Sequence, residues 1–174
     1  MEQTFTAEIQ FEDNSLGWHC FVIVPPKIAD KFIEGKDRRV VCTLNDKLTI
    51  QAALMPSKEG YYYILLNKTN RTKLKVEPRD KVKVKLSKDS SEYGTATPSF
   101  FKEFCEQDLE GSDLFHQQTI GTQRSLLYLM CKPKSENKQL EKAWIIFDYL
   151  KSVNGNLEFK GLQEAFKNNR FKQA

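Results

Sequence analysis

The sequence lacks the residue patterns on which most enzyme active sites are built. It has two histidines, His19 and His116, and neither is spaced from a serine, cysteine or carboxylate as a catalytic triad would suggest. The eight glycines stand apart from one another, so the chain encodes no glycine-rich loop for a phosphate group. We therefore predict a protein with no catalytic residues and no cofactor.

Metal-binding and membrane-spanning patterns are missing as well. The four cysteines (Cys20, Cys42, Cys105 and Cys131) form no Cys-x-x-Cys pair, and none has a histidine nearby at zinc-ligand spacing. No apolar run approaches the roughly 18 to 20 residues that a membrane span needs, and the first ten residues do not resemble a signal peptide. These absences predict reduced thiols, no metal site, no membrane span and a cytoplasmic location.

Positive charge is concentrated in one segment. The whole chain has a formal net charge of +4, but residues 67–88 hold nine basic residues against two acids. This segment has two interpretations. It is either an anion- or nucleic-acid-binding surface or the solvated face of an edge strand, where lysines discourage pairing with other chains. We favour the second. The binding alternative would use six side chains: Lys68, Arg71, Lys73, Lys81, Lys83 and Lys85.

Hydrophobic residues alternate with polar ones through the first half of the chain, which is typical of β-strands. We predict six strands, at residues 4–11, 17–24, 38–44, 47–54, 61–66 and 80–88. Asn45-Asp46 predicts a hairpin turn, and Asn67 predicts the N-cap of a short helix that ends near residue 74. Another helix is predicted over residues 26–34 after Pro25. Six short, mainly antiparallel strands suggest a small barrel, closed or partly closed.

After about residue 90 the hydrophobic period changes to three or four residues, which is typical of helices. We predict helices at 98–107, with Thr97 as the cap, and at 113–118 after a break at Gly111-Ser112. Further helices should run from residue 122 to a point before Pro133, from Ser135 to residue 154, and over residues 157–166. The polar segment 88–98 is predicted to be a linker. The sequence thus predicts an α+β protein with a barrel domain at residues 1–90 and a helical module at residues 97–174.

Aromatic residues offer the first candidate for a ligand site. Trp18, Tyr61 and Tyr63, together with Phe21, would line a cavity at the mouth of the barrel if their rings face it. The alternative interpretation is core and cross-strand packing. Arg124 is a candidate anion ligand in the helical module, and its alternative role is pairing with a local carboxylate.

Parts of the sequence resemble a known family. Residues 18–25 with Ile28-Ala29, residues 61–68 and residues 80–86 resemble a bacterial barrel domain of unknown function that is often joined to a YdeI/OmpD-associated (bacteriocin-protection type) helical module. The tail is similar to that module at Pro98 and in residues 123–128, 132–134 and 139–143. The resemblance implies a double-split-barrel-like fold and a link to envelope stress or antimicrobial-peptide tolerance.

These observations lead to two hypotheses about function. The first is a non-enzymatic cytosolic binding module that recognises a small ligand or a protein partner. The alternative is a nucleic-acid-binding protein that uses the basic segment 67–88. The resemblance supplies no catalytic motif for either of them.

Overall fold

The computed structural model describes residues 1–14 and 17–169, and the side chains of residues 13, 14, 17 and 18 lie outside it. The chain divides into two compact units, Met1–Ser90 and Ser91–Ala174. The first is built around a β-sheet and the second is helical, as the change of hydrophobic period predicts. The fold class is therefore α+β.

The first unit forms one antiparallel sheet, in the order β4-β3-β7-β1-β2-β6-β5. Within the described residues its seven strands are β1 (Glu2–Asn14), β2 (Gly17–Val24), β3 (Arg39–Leu44), β4 (Leu48–Ala53), β5 (Met55–Pro56), β6 (Tyr62–Leu65) and β7 (Lys81–Lys88). The sequence predicts six of them. The additional strand, β5, has two residues, too few to produce a recognisable alternation.

The sheet curls into a half-barrel because two segments of the chain, strand β1 and residues 48–56, each belong to two parts of it. Residues 2–8 of β1 pair with β7, whereas residues 9–14 of the same strand pair with β2. Strands β4 and β5 are the two ends of the sheet, yet Leu54 alone separates them along the chain. Leu54 is fully buried, and its backbone NH donates to the Arg38 carbonyl at 2.9 Å. The barrel-like fold that the sequence predicts is confirmed.

The alternation in β7 places its apolar side chains in the core. Val82, Val84 and Leu86 are fully buried, whereas Lys81 and Lys83 are exposed. However, β7 pairs with β1 on one side and with β3 on the other. The prediction of an edge strand is therefore wrong. Alternation reveals which face of a strand is buried, but it carries no information about where the strand lies in the sheet.

Local signals in the first unit are confirmed at one turn and one helix cap, and are wrong about the length of one helix. Asn45 and Asp46 both have a φ of 51°, as the predicted hairpin turn requires, and the Asn67 side chain caps helix α2 (Lys68–Leu74). Helix α1 is shorter than predicted and covers Pro26–Ala29. Phe32, which suggested a longer helix, is buried from the turns that follow instead.

The second unit contains five helices in its described residues. They are α3 (Phe101–Gln107), α4 (Leu109–His116), α5 (Ile120–Cys131), α6 (Glu136–Ser152) and α7 (Phe159–Lys167). Their shared core includes four aromatic residues, Phe101, Phe104, Phe115 and Phe147, each at most 3% exposed. None of the helices in the described residues combines the length and apolar character needed to cross a membrane.

Two predictions about helix boundaries in this unit are wrong. Helix α4 runs through Gly111 instead of breaking there, because the missing side chain lets the Phe147 ring pack directly against the backbone. The N-cap of α3 is Phe100, and Thr97 lies outside the helix. The predicted linker also contributes to the core, since Tyr93 is only 8% exposed.

Candidate functional site

A cavity of about 550 Å³ lies in the second unit, where residues 91–99 pass beside α3 and α4. Tyr93, Phe101, Cys105, Ser112 and His116 are among its lining residues. Residues on α3 at positions 101, 102, 105 and 106 face it because they lie on one side of that helix. The cavity thus joins side chains from three chain segments within one unit.

Tyr93 is held in place by aromatic packing. Its ring meets Phe101 edge-on, with 6.0 Å between the ring centroids, and meets Phe115 in the same way at 6.1 Å. Edge-to-face contacts of this kind are favourable because the positive edge of one ring meets the negative face of another. The packing fixes the side chain and leaves its hydroxyl at the cavity wall.

The Tyr93 hydroxyl is hydrogen-bonded to His116 Nε2 at 2.9 Å. The other ring nitrogen, His116 Nδ1, lies 2.8 Å from the Ser112 carbonyl oxygen. A carbonyl oxygen only accepts, so Nδ1 carries a proton and donates it. In the neutral imidazole Nε2 is then an acceptor, and Tyr93 donates to it. This network orders one side of the cavity.

Arg124 supports the same wall from outside the cavity. Its Nε donates to the Tyr93 carbonyl oxygen at 2.6 Å. The sequence suggests that Arg124 binds an anion or pairs with a carboxylate. The structure shows a hydrogen bond from Arg124 to the backbone, which fastens the segment carrying Tyr93 to helix α5, and the predicted anion-binding role stays a prediction.

The titratable groups of the cavity are shifted towards their neutral forms. Burial raises the pKa of Tyr93 to about 12, and the negative charge of Glu92 acts in the same direction. Burial also raises the pKa of the Cys105 thiol, although a hydrogen bond with Ser112 lowers it; the carboxylates of Asp108, Glu92 and Glu106 raise it further. Both groups therefore remain protonated at neutral pH.

The aromatic residues predicted from the sequence lie in the first unit. Tyr63 pairs with Ile23 across the sheet and stands on the face opposite to the buried Ile64. Its ring lies 5.1 Å from that of Phe21 and 6.3 Å from that of Tyr61, measured between centroids. These rings form a cluster on the outer face of the sheet. The side chain of Trp18 lies outside the described residues.

Several of the predicted anion-binding residues have acidic neighbours. Lys83 Nζ lies 2.8 Å from Asp46 Oδ2, and Lys85 Nζ lies 3.0 Å from Glu2 Oε1. Arg71 Nη1 lies 3.3 Å from Glu77 Oε2. Lys81 on β7 is paired with Glu8 on β1. These acids offset part of the positive charge. Lys68 and Lys73 are exposed on α2.

The sequence alone did not indicate this cavity. Tyr93 is the one aromatic residue in the polar segment 88–98, and its presence there is the local sign in the sequence that this segment packs against an apolar core. His116 is 23 residues away, so no local motif links the two residues. In the described residues no group of three or more histidine, cysteine, aspartate or glutamate side chains is arranged to hold a metal ion.

One known family model matches most of the first unit. Residues 5–86 match the model of a domain of unknown function, DUF1905. The DUF1905 region, as we call these residues, begins within β1 and ends within β7. No curated protein matches the chain. The cavity lies outside the DUF1905 region, so this family match carries no information about the chemistry of the cavity.

Proposed function

We propose that this chain is a non-enzymatic binding protein and that the cavity around Tyr93 and His116 is its small-ligand site. The observation that carries the proposal is the cavity itself. Its volume of about 550 Å³ falls within the range of about 300 to 1,000 Å³ that is typical of ligand pockets. Aromatic and apolar side chains in such pockets supply contact area, while a few fixed polar groups orient the ligand.

The polar groups of this cavity are held in fixed positions. The hydroxyl of Tyr93 is bonded to His116, and His116 is bonded in turn to the Ser112 carbonyl. Arg124 holds the backbone of Tyr93. A ligand would therefore meet groups that are already ordered, which lowers the entropic cost of binding.

The same contacts argue against nucleophilic catalysis in the cavity. Cys105 remains a thiol, whereas the thiolate is the reactive form. The Ser112 hydroxyl lies 3.3 Å from His116 Nδ1, but that nitrogen donates to a carbonyl and has no lone pair with which to accept the serine proton. Binding without turnover is the chemistry that this arrangement supports best.

A fragment screen by nitrogen-15 NMR tests the proposal. We expect some fragments to shift the amide resonances of residues 91–116, and we expect Tyr93→Phe to weaken their binding by removing the hydroxyl group. Tyr128→Phe is the matched control because Tyr128 is 62% exposed on α5. The proposal fails if no fragment shifts these resonances, or if the two variants behave alike. Turnover of a bound fragment would refute the non-enzymatic assignment.

The biological setting belongs to the same proposal. The resemblance of residues 97–174 to YdeI/OmpD-associated modules supports a cytoplasmic role in envelope stress or antimicrobial-peptide tolerance. A deletion strain should become more sensitive to cationic antimicrobial peptides, and the wild-type gene should restore tolerance while Tyr93→Phe should not. Unchanged sensitivity of the deletion strain would refute this role.

Nucleic-acid binding through the basic segment 67–88 remains the alternative proposal. If about four phosphates were neutralised, the logarithm of the affinity for duplex DNA would fall with the logarithm of salt concentration at a slope of roughly −3.6. The acids beside Lys83 and Lys85 lead us to expect no such binding. A salt-sensitive gel shift that is lost when Lys81, Lys83 and Lys85 are changed to glutamine would favour the alternative.

A further inference from the structure

The charged side chains that face the cavity are unequal in sign. Glu92 and Glu106 contribute carboxylates to its lining, and Lys102 contributes an ammonium group. The salt bridges of the described residues include neither of these two glutamates. By contrast, the nearby Asp108 is paired with Lys151 at 2.7 Å. The cavity therefore presents carboxylates that have no cationic partner within ion-pair distance.

Glu92 and Glu106 are exposed, and their negative charge acts on the side chains that line the cavity. Besides burial, the charges of Asp108, Glu92 and Glu106 raise the pKa of Cys105, and no cation acts on it in the opposite direction. Glu92 also contributes to the raised pKa of Tyr93. The field at these two side chains disfavours an added negative charge and favours a positive one.

At the wall formed by Tyr93 and His116, the side-chain protons of both residues are already engaged in hydrogen bonds. The His116 Nδ1 proton goes to the Ser112 carbonyl, and the Tyr93 proton goes to His116 Nε2. The Tyr93 oxygen retains lone pairs, and the Glu92 carboxylate beside it is an acceptor only. A ligand group that donates several hydrogen bonds matches this wall better than one that accepts them.

We infer that the cavity binds a protonated organic amine, with the ammonium group at the Glu92 carboxylate and an apolar body against Phe101, Pro98 and Leu109. This inference rests on the proposed function, because it names the class of ligand that the same cavity takes. An ammonium group has three donors and one positive charge, so it can satisfy Glu92 and the Tyr93 oxygen together. The apolar residues supply contact area for the remainder of the molecule.

Three probes of almost equal size separate charge from shape: 2-phenylethylamine, 2-phenylethanol and 3-phenylpropanoate. Binding of each to the full chain would be followed by NMR titration at low ionic strength, where charge interactions are least screened. We expect the amine to bind about ten-fold more tightly than the alcohol, and the carboxylate to bind most weakly. The shifted resonances should belong to residues 91–116.

Variants identify the carboxylate responsible. Glu92→Gln should abolish the preference for the amine over the alcohol, and Glu106→Gln should reduce it. Glu110→Gln is the matched control, because Glu110 is an exposed glutamate on α4 that does not line the cavity. Affinity for the alcohol should be unchanged in all three variants, which also verifies that the cavity is intact.

The outcomes distinguish this inference from the proposed function. If the amine and the alcohol bind the cavity equally, the ligand class is wrong while the binding function stands. If the amine shifts resonances elsewhere, or if none of the probes shifts residues 91–116, the amine inference is overturned. The fragment screen then decides separately whether the cavity binds other molecules.

Discussion

The ammonium group of Lys151 lies 2.7 Å from Asp108 Oδ2 and joins the last turn of α6 to the N-cap of α4. The other carboxylate oxygen of Asp108 accepts from the Gly111 backbone NH at 3.0 Å. Burial tends to raise the pKa of Asp108. The hydrogen bonds from Lys151 and Gly111 and the charge of Lys151 outweigh this effect, so the pKa lies below the ordinary aspartate value of 3.8. The folded state therefore favours the charged carboxylate.

Two substitutions of Asp108 should distinguish the contribution of the ion pair to stability from that of the helix cap. Asp108→Asn keeps a capping oxygen but loses the charge, whereas Asp108→Ala loses both and should cost about 1 kcal/mol more. A lowered pKa in the folded state means that the carboxylate stabilises the fold above the unfolded pKa and that this contribution disappears as the pH falls through the folded value. Urea unfolding at about pH 7 and about pH 3 measures the difference between wild type and Asp108→Asn. An equal difference at both pH values would contradict the expectation.

Gly111 should not tolerate a side chain. An added Cβ would overlap the Phe147 ring, so Gly111→Ala should destabilise the second unit by about 1 to 3 kcal/mol through overpacking. Gly121→Ala is the control, because the nearest atom to its Cβ would be Thr119 Oγ1 at 3.9 Å. Its stability should be unchanged or slightly raised. Thermal unfolding followed by circular dichroism compares the two, and equal melting temperatures would refute the packing argument.

Local chemistry explains which parts of the fold could be predicted. Asn67 caps α2, and Asn45-Asp46 forms its turn, because these signals depend on a few adjacent residues. The position of β7 inside the sheet depends on its pairing with β1 and β3, which strand alternation does not report. At Gly111 the sequence favoured a break, since its contact with Phe147 comes from another helix.

The candidate site could not be predicted because it depends on contacts between residues that are far apart in the sequence. The bond between Tyr93 and His116 joins a polar segment to the end of a helix, and neither residue belongs to a recognisable motif. The sequence predicts a ligand site at Tyr61 and Tyr63 instead, because the segment that contains them is rich in aromatic residues. Those rings lie on the outside of the sheet, where packing of neighbouring strands places them.

Leu54 should be critical for closing the half-barrel. Its side chain is fully buried at the point where β4 gives way to β5, so Leu54→Ala should cost about 2 to 5 kcal/mol. Leu65→Ala provides a control in the same sheet, because Leu65 is 44% exposed and should cost much less. Chemical unfolding of both variants gives the comparison. Similar losses would show that closure at Leu54 does not matter more than an ordinary surface contact.

Cys42 should resist modification until the first unit unfolds. Burial raises the pKa of Cys42 to about 12, so the reactive thiolate is scarce in the folded protein. Iodoacetamide labelling followed by mass spectrometry should modify Cys105 and Cys131, which are half-buried, before Cys42. Because the folded pKa lies above the ordinary thiol value of 9.0, this group should also weaken the fold as the pH rises above about 9. Early labelling of Cys42 in native protein would contradict the prediction.

The stretch Leu48–Pro56 has a consequence for how the sequence can change. Because β4 and β5 share this stretch, its length sets the alignment of β4 with β3 and of β5 with β6 at the same time. A single residue inserted beside Leu54 would shift one of these alignments and turn the affected side chains to the opposite face. Insertions should therefore be accepted in the loop between β5 and β6 far more readily than here, and a library of one-residue insertions would reveal a narrow gap in tolerance centred on Leu54.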